Sequence, residues 1–286
     1  MRNIRIIRKQ EAAGDRGPSR GMFALQRALE AANFPWLKIG GELQPDEIPW
    51  IWHWDDKWFA VRCEASRRPY ILGPNVLFHS SAQPCEYPAE SYLCHAKHCC
   101  LLVTESRWYE VLIQQHLGRG NETPIAVWPY PIDMMPNGSE SNQPARYDLM
   151  IYNKCGQEYA STVRALQSAF PSHCLVEYGR YRRDRMIVNA TRSRCCVYLS
   201  ADDRGPIALA EILLCGCPAG GVERGAPWLN GVNGVVVPSL DPIDLIEGAA
   251  QAMTFDRDVV REMAAATFNP DQIAKRVAAS LLPLLS

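Results

Sequence analysis

The chain has no uninterrupted apolar run of the length a membrane-spanning helix needs, and no apolar core segment follows Met1-Arg2-Asn3-Ile4-Arg5 as a secretory leader would require. These absences exclude a transmembrane helix and point to a reducing cytoplasm, a host's for a viral protein. Charge of one sign is also lacking. With 30 Lys and Arg against 31 Asp and Glu the formal charge is −1, which excludes a strongly basic nucleic-acid binder as the default class. Disorder is excluded by a hydrophobic content of 47%. The 11 cysteines belong to a chain too long for a disulfide scaffold, and Cys99-Cys100 and Cys195-Cys196 read as small hydrophobes in buried strands. Cys94-His95-Ala96-Lys97-His98-Cys99-Cys100 has the residue types zinc prefers, but no second Cys-x-x-Cys or His-x-His partner exists to complete a site. No metal is expected.

What is present is an alternation of strand-like and helical segments. A length of 286 residues suits two domains of ordinary size. Strands are expected at Ile4–Arg8, Trp36–Ile39, Ile48–Trp54, Tyr70–Leu72, Cys99–Thr104 and Ile125–Trp128, with helices near Gly21–Ala32, Lys57–Ala65 and Trp108–Leu117. Further strands are expected at Tyr147–Tyr152, Cys174–Tyr178, Cys195–Leu199 and Val235–Val237. Between the halves, residues 131–144 are rich in turn formers and polar side chains. The division is therefore a first α/β domain over 1–133, a linker over 134–146 and a second α/β domain over 147–286 that includes the C-terminal helices.

The most constraining stretch runs from Ala201 to Pro218. It reads as a loop after the strand Cys195–Leu199, a Gly205-Pro206 helix start, a helix, a Gly216 stop and a following strand. Asp203 and Glu211, separated by seven residues, then lie near the carboxyl end of a parallel sheet, where open α/β folds bind ligands. A carboxylate can accept hydrogen bonds from both hydroxyls of a vicinal diol. The helix start at Gly205-Pro206-Ile207, in which the proline itself has no N–H to give, offers the unpaired backbone N–H groups of the first turn to a diphosphate.

An acid, seven residues, Glu and a Cys-Gly-Cys-Pro turn resemble the nucleotide-sugar site of GT-B glycosyltransferases, in particular those of retaining family 4. The resemblance implies two Rossmann-like domains whose parallel sheets face a central cleft. It implies that Glu211 holds the donor ribose and that Asp203, standing where Glu is more usual, lies beside the donor sugar. Three further segments carry it. Gly14 to Gly21 is similar to the glycine-rich loop after the first strand, with Gly17 and Arg20 on the donor side. Trp128-Pro129-Tyr130-Pro131-Ile132-Asp133 partly resembles the segment before the linker. Glu223 to Gly234 resembles the later donor-domain loop and its Asn-Gly turn.

A transferase of this kind works without a bound metal, so cations and helix N-termini must take up the charge of the leaving diphosphate. Lys154, after the strand Tyr147–Tyr152, is the first candidate, and Arg180 and Arg20 are the others. The segment Arg180, Arg182, Arg183, Arg185, Arg192 and Arg194 is read mainly as solvent-facing charge. It also keeps open an anionic acceptor, in the manner of phage enzymes that glycosylate hydroxymethylated DNA bases. In the first domain Trp50, Trp52 and Trp54 share a strand face. Trp50 and Trp52 are expected in the core, and Asp55 is the candidate base for the acceptor hydroxyl.

The expected activity is transfer of a sugar from a UDP- or GDP-linked donor to a hydroxyl of a glycan, a lipid-linked glycan or modified DNA. The donor is a substrate, and no resident cofactor is expected. A non-catalytic GT-B-like binder of nucleotide sugars is the alternative that Asp203 in place of Glu would signal.

Overall fold

A computed structural model of the chain describes residues 2–7, 18–53, 57–75, 96–117, 122–132 and 145–286, the side chains of positions 18, 19, 53, 57, 75 and 116 excepted. It divides into two units. The first comprises 1–131 with 270–286, and the second 132–269.

The first unit has a parallel sheet of six strands, β1 (Ile4–Ile7), β2 (Leu37–Ile39), β3 (Ile48–His53), β4 (Tyr70–Asn75), β5 (Cys99–Thr104) and β6 (Ile125–Val127), in the order β2-β1-β3-β4-β5-β6. Its helices among the described residues are α1 (Pro18–Ala32), α2 (Lys57–Ala65) and α3 (Arg107–His116), joined by the last helix of the chain. The two-residue period of the strands divides their side chains between two cores. Ile4, Ile6, Trp50, Trp52, Ile71, Leu101 and Val103 pack on one face with Leu25 and Leu29 of α1. Ile51, Tyr70, Leu72 and Leu102 pack on the other with Ala60 and Cys63 of α2 and Tyr109 and Ile113 of α3. Trp50 and Trp52 are therefore core residues as expected, ring edge to face at 5.1 Å, and the Trp50 Nε1–H donates to the Gly73 carbonyl at 2.8 Å.

The second unit has a parallel sheet of five strands, β7 (Tyr147–Asn153), β8 (His173–Glu177), β9 (Ser193–Leu199), β10 (Ala219–Val222) and β11 (Gly234–Val237), in the order β11-β10-β9-β7-β8. Its α-helices among the described residues are α4 (Ala160–Ala169), α5 (Arg183–Thr191), α6 (Ile207–Leu214), α7 (Pro242–Ala252) and α8 (Arg257–Thr267). One face of the sheet, through Leu149, Ile151, Cys195, Val197 and Leu199, packs with Val163 and Leu166 of α4 and Leu245 and Ala249 of α7. The alternate residues Tyr152 and Tyr198 are a cross-strand pair with stacked rings, 4.8 Å apart at 6°.

The last helix, α9 (Pro270–Leu281), departs from the sequence reading, which gave all of 147–286 to the second domain. Its apolar stripe of Ile273, Ala274, Val277, Ala278 and Leu281 completes the core of the first unit beside α1. The Arg2 N–H then donates to the Leu285 carbonyl at 3.1 Å. Residues 270–286 thus belong to the first unit. An ion pair also ties that unit's first strand: Arg5 Nη2 donates to Glu47 Oε1 at 2.6 Å, and Arg5 Nε bonds Oε2 of the same buried carboxylate.

Candidate functional site

Chain order in the second sheet places the switch point between β7 and β9: from β7 the chain moves outward to β8, then returns to the other side of β7 as β9. Loops at the carboxyl ends of two such strands diverge and leave room for a ligand. Lys154 follows β7 directly, and Asp203 follows β9 by four residues. The corresponding loops of the first sheet, after β1 and β3, lie outside the described residues, and with them Gly17 and Asp55. So do Trp54, half of the Gly14 to Gly21 loop, most of the expected linker, and Cys94 and His95.

The structure brings Lys154 and Asp203 together. Lys154 Nζ donates to Asp203 Oδ2 at 2.5 Å, with the side chains 26% and 11% exposed. Tyr198 Oη donates to the same oxygen at 3.1 Å. Burial, with the neighbouring Asp203 charge second, pushes the Tyr198 hydroxyl well above its ordinary value, so it stays a donor. Lys154 Nζ also stands 5.4 Å from the Tyr178 ring centre, and Tyr152 Oη and Tyr181 Oη lie 3.1 Å apart beside the stacked pair.

Backbone bonds fix both loops. The Lys154 N–H donates to the Leu199 carbonyl at 2.9 Å, and the Cys155 N–H to Asn153 Oδ1 at 3.1 Å. The Asp203 N–H donates to the Arg224 carbonyl at 2.8 Å. That last contact requires Gly225, where a Cβ would fall 1.8 Å from the Ser200 carbonyl oxygen. The loop at 223–228, expected to serve the donor side, is thereby seated against the Asp203 loop.

The expected helix start lies one residue later than the sequence suggested. Pro206 is the N-cap at φ −73°, ψ 82°, and α6 begins at Ile207. The first α-helical backbone bond runs from the Ala210 N–H to the Pro206 carbonyl, and the cap supplies no side-chain acceptor. The N–H groups of Ile207, Ala208 and Leu209 therefore precede the ladder. The expected stop at Gly216 is present, with φ +70°. Cys217 N–H donates to the Ile212 carbonyl and Gly216 N–H to the Leu213 carbonyl, a Schellman end that turns the chain into β10.

Glu211 lies in the middle of α6, 2% exposed, and its carboxylate is engaged by a residue that sequence reasoning counted among the solvent-facing charges. Arg183 Nε, at the start of α5, donates to Glu211 Oε1 at 2.7 Å. A carboxylate alone in an eight-residue helix of otherwise apolar side chains demands a cation, and that demand was the available signal. Arg180 is not brought to the Lys154–Asp203 pair: it is 77% exposed and faces Glu177 at 3.6 Å. Arg20, on α1, belongs to the first unit. Arg182 pairs with Asp184 and Arg194 with Asp148, so much of the basic segment is locally neutralised.

Burial pushes the thiols upward, to about 11 at Cys63 and Cys100 and about 12 at Cys195, as inert core cysteines require. Among the described residues no three or more His, Cys, Asp or Glu form a group able to hold a metal ion. Among the same residues no helix is long and apolar enough to cross a membrane.

Two parallel sheets flanked by helices are the α/β architecture of GT-B glycosyltransferases, and that is the fold of this chain. It is similar to sucrose-phosphate synthase from Thermosynechococcus elongatus, at 13% identity and TM-score 0.67, over 99% of each chain. It is similar to Anabaena HepE in complex with UDP, at 12% identity and TM-score 0.67, over 99% of this chain and 100% of that one. AviGT4, a glycosyltransferase involved in avilamycin A biosynthesis, matches at 14% identity and TM-score 0.57, over 100% and 98%. No protein-family model matches the sequence, and no curated protein does.

Proposed function

We propose that the protein is a glycosyltransferase that moves a sugar from a nucleotide donor to an acceptor hydroxyl with retention at the anomeric carbon. The observation that carries this reading is that the Lys154–Asp203 pair joins the loops after β7 and β9, and the Arg183–Glu211 pair joins the helices that follow β8 and β9, all on one parallel sheet. Solved structures of this fold with UDP, and with UDP-glucose, give the donor class its support.

In this reading Glu211 accepts the ribose hydroxyls, and the N–H groups of the α6 start with Lys154 face the diphosphate. Asp203 accepts a hydroxyl of the donor sugar. Transfer breaks the bond between the anomeric carbon and the diphosphate oxygen and forms one to the acceptor oxygen on the same face. The acceptor proton passes to the departing phosphate oxygen. Lys154 then neutralises charge that grows on the diphosphate as the bond breaks, a role no resident metal needs to fill. A base at Asp55 would instead suit an inverting displacement, in which the acceptor proton goes to a carboxylate and not to the phosphate. A UDP- or GDP-linked donor is favoured, with glycans, lipid-linked glycans and modified DNA as acceptor classes, and the cytoplasm as the compartment.

The test is a thermal-shift panel of UDP-, GDP-, ADP-, CMP- and dTDP-linked sugars on the wild type and on Glu211→Ala. One donor is expected to raise the wild-type melting temperature and to leave that of the variant unchanged. Equal stabilisation of both proteins would refute the ribose assignment. Absence of stabilisation by any donor would refute the donor site.

A further inference from the structure

Glu211 is the only ionisable residue of α6, and all eight residues of that helix are buried. A carboxylate so far out of water is strongly disfavoured unless a cation faces it. Arg183 supplies that cation from the first turn of α5, at 2.7 Å, with its own side chain 43% exposed. The guanidinium is planar and its donors have fixed directions, so a bond from Nε constrains the carboxylate plane as well as its charge.

We infer that Arg183 is a positioning residue of the donor site: it pairs with the buried Glu211 carboxylate and aims its oxygens, and so sets the preference for ribose over deoxyribose nucleotides. The inference rests on Glu211 as the ribose acceptor. A diol hydrogen-bonds well to a carboxylate that is correctly turned, and poorly to one that is rotated. The sequence gives Arg183 no distinction from its arginine neighbours. Its contact with a buried acid on another helix separates it from Arg182, whose partner Asp184 is exposed and two residues along the chain.

The experiment measures, by titration calorimetry, the affinities of UDP, GDP and ADP and of their 2′-deoxy counterparts. The proteins are the wild type, Arg183→Met, Arg183→Lys, Glu211→Gln and the Arg183→Met/Glu211→Gln double variant. The wild type is expected to favour one ribonucleotide over its deoxy form by about 10-fold or more, the worth of a hydrogen bond to a charged group. Arg183→Met is expected to reduce that ratio to about that of Glu211→Gln, and Arg183→Lys to an intermediate value. The double variant should bind no more weakly than Glu211→Gln alone.

An undiminished ratio in Arg183→Met overturns the inference, while its loss in Glu211→Gln leaves the ribose assignment standing. An undiminished ratio in Glu211→Gln overturns that assignment and the inference with it. Additive losses in the double variant also overturn the inference, because Arg183 would then contact the nucleotide on its own account. Should Arg183→Met fail to fold, Arg183→Lys decides, and a wild-type ratio there overturns the inference. A wild type that binds none of the six nucleotides overturns both.

Discussion

Replacing Lys154 with Met keeps most of the side-chain stem and removes the ammonium that touches Asp203 Oδ2 at 2.5 Å. Two effects follow, of different size. In the unliganded protein Asp203 loses its cation but keeps the Tyr198 hydroxyl at 3.1 Å, and at 11% exposure it retains some contact with water. Stability should fall by about 1–2 kcal/mol, the cost of one charged hydrogen bond at a partly solvated site. In the transition state the loss is larger. Two unit charges about 4 Å apart interact by about 4 kcal/mol at an effective dielectric of about 20. Removing a preorganised electrostatic partner of this kind typically lowers turnover by about 10²–10³-fold. The assay is donor turnover at saturating donor, with KM measured beside kcat, for the donor identified by thermal shift. The expected result is a fall in kcat by that factor with KM changed by less than about 10-fold, because the partner charge grows as the bond breaks. A Lys154→Met enzyme with wild-type kcat would refute the role. A raised KM with kcat intact would reduce Lys154 to uniform binding of the donor.

Further predictions rest on other parts of the molecule. The Arg5 hydrogen bonds hold the Glu47 carboxyl below its usual range, so the ion pair's stabilisation is fully present above about pH 4.3, the unfolded value, and is lost as pH falls through the lower folded value. Glu47→Gln should therefore cost about 3 kcal/mol at pH 7 by urea denaturation, with the gap to wild type closing only in the acid range; a gap constant down to pH 2.5 would refute the linkage. Gly225→Ala drives a Cβ into the Ser200 carbonyl oxygen and should cost about 1–3 kcal/mol while displacing the loop that carries Asp203. An unaltered melting temperature together with unaltered turnover would show that the close approach is unimportant.

The parts of the fold that were legible in the sequence are those that one segment decides alone. Cys195 to Leu199 and Cys99 to Thr104 are continuous apolar runs because parallel strands are covered on both faces. Gly216 marks a helix end because only a residue at ease with positive φ closes it there. Partnerships across the chain were not legible. Lys154 and Asp203 are 49 residues apart and Arg183 and Glu211 are 28 apart, and no local period links either pair. Arg180 shows the same limit: its ion pair, with Glu177 three residues away, is set by the turn after β8 and not by any feature of the arginine itself. The stripe on α9 announces that the helix is buried somewhere. It does not say in which unit, since two cores of similar chemistry compete for it.

The return of α9 to the first unit inverts the order in which the molecule can be finished. A ribosome delivers 1–131 first, yet the face formed by Ile4, Trp50 and Leu101 lacks its last cover until Ile273, Val277 and Leu281 have emerged. The second unit is continuous from 132 to 269 and has all its parts earlier. The usual sequence of domain-by-domain maturation, first made and first closed, is therefore reversed during synthesis. For that interval a first unit whose core still lacks one of its helices is the species that chaperones and proteases would meet.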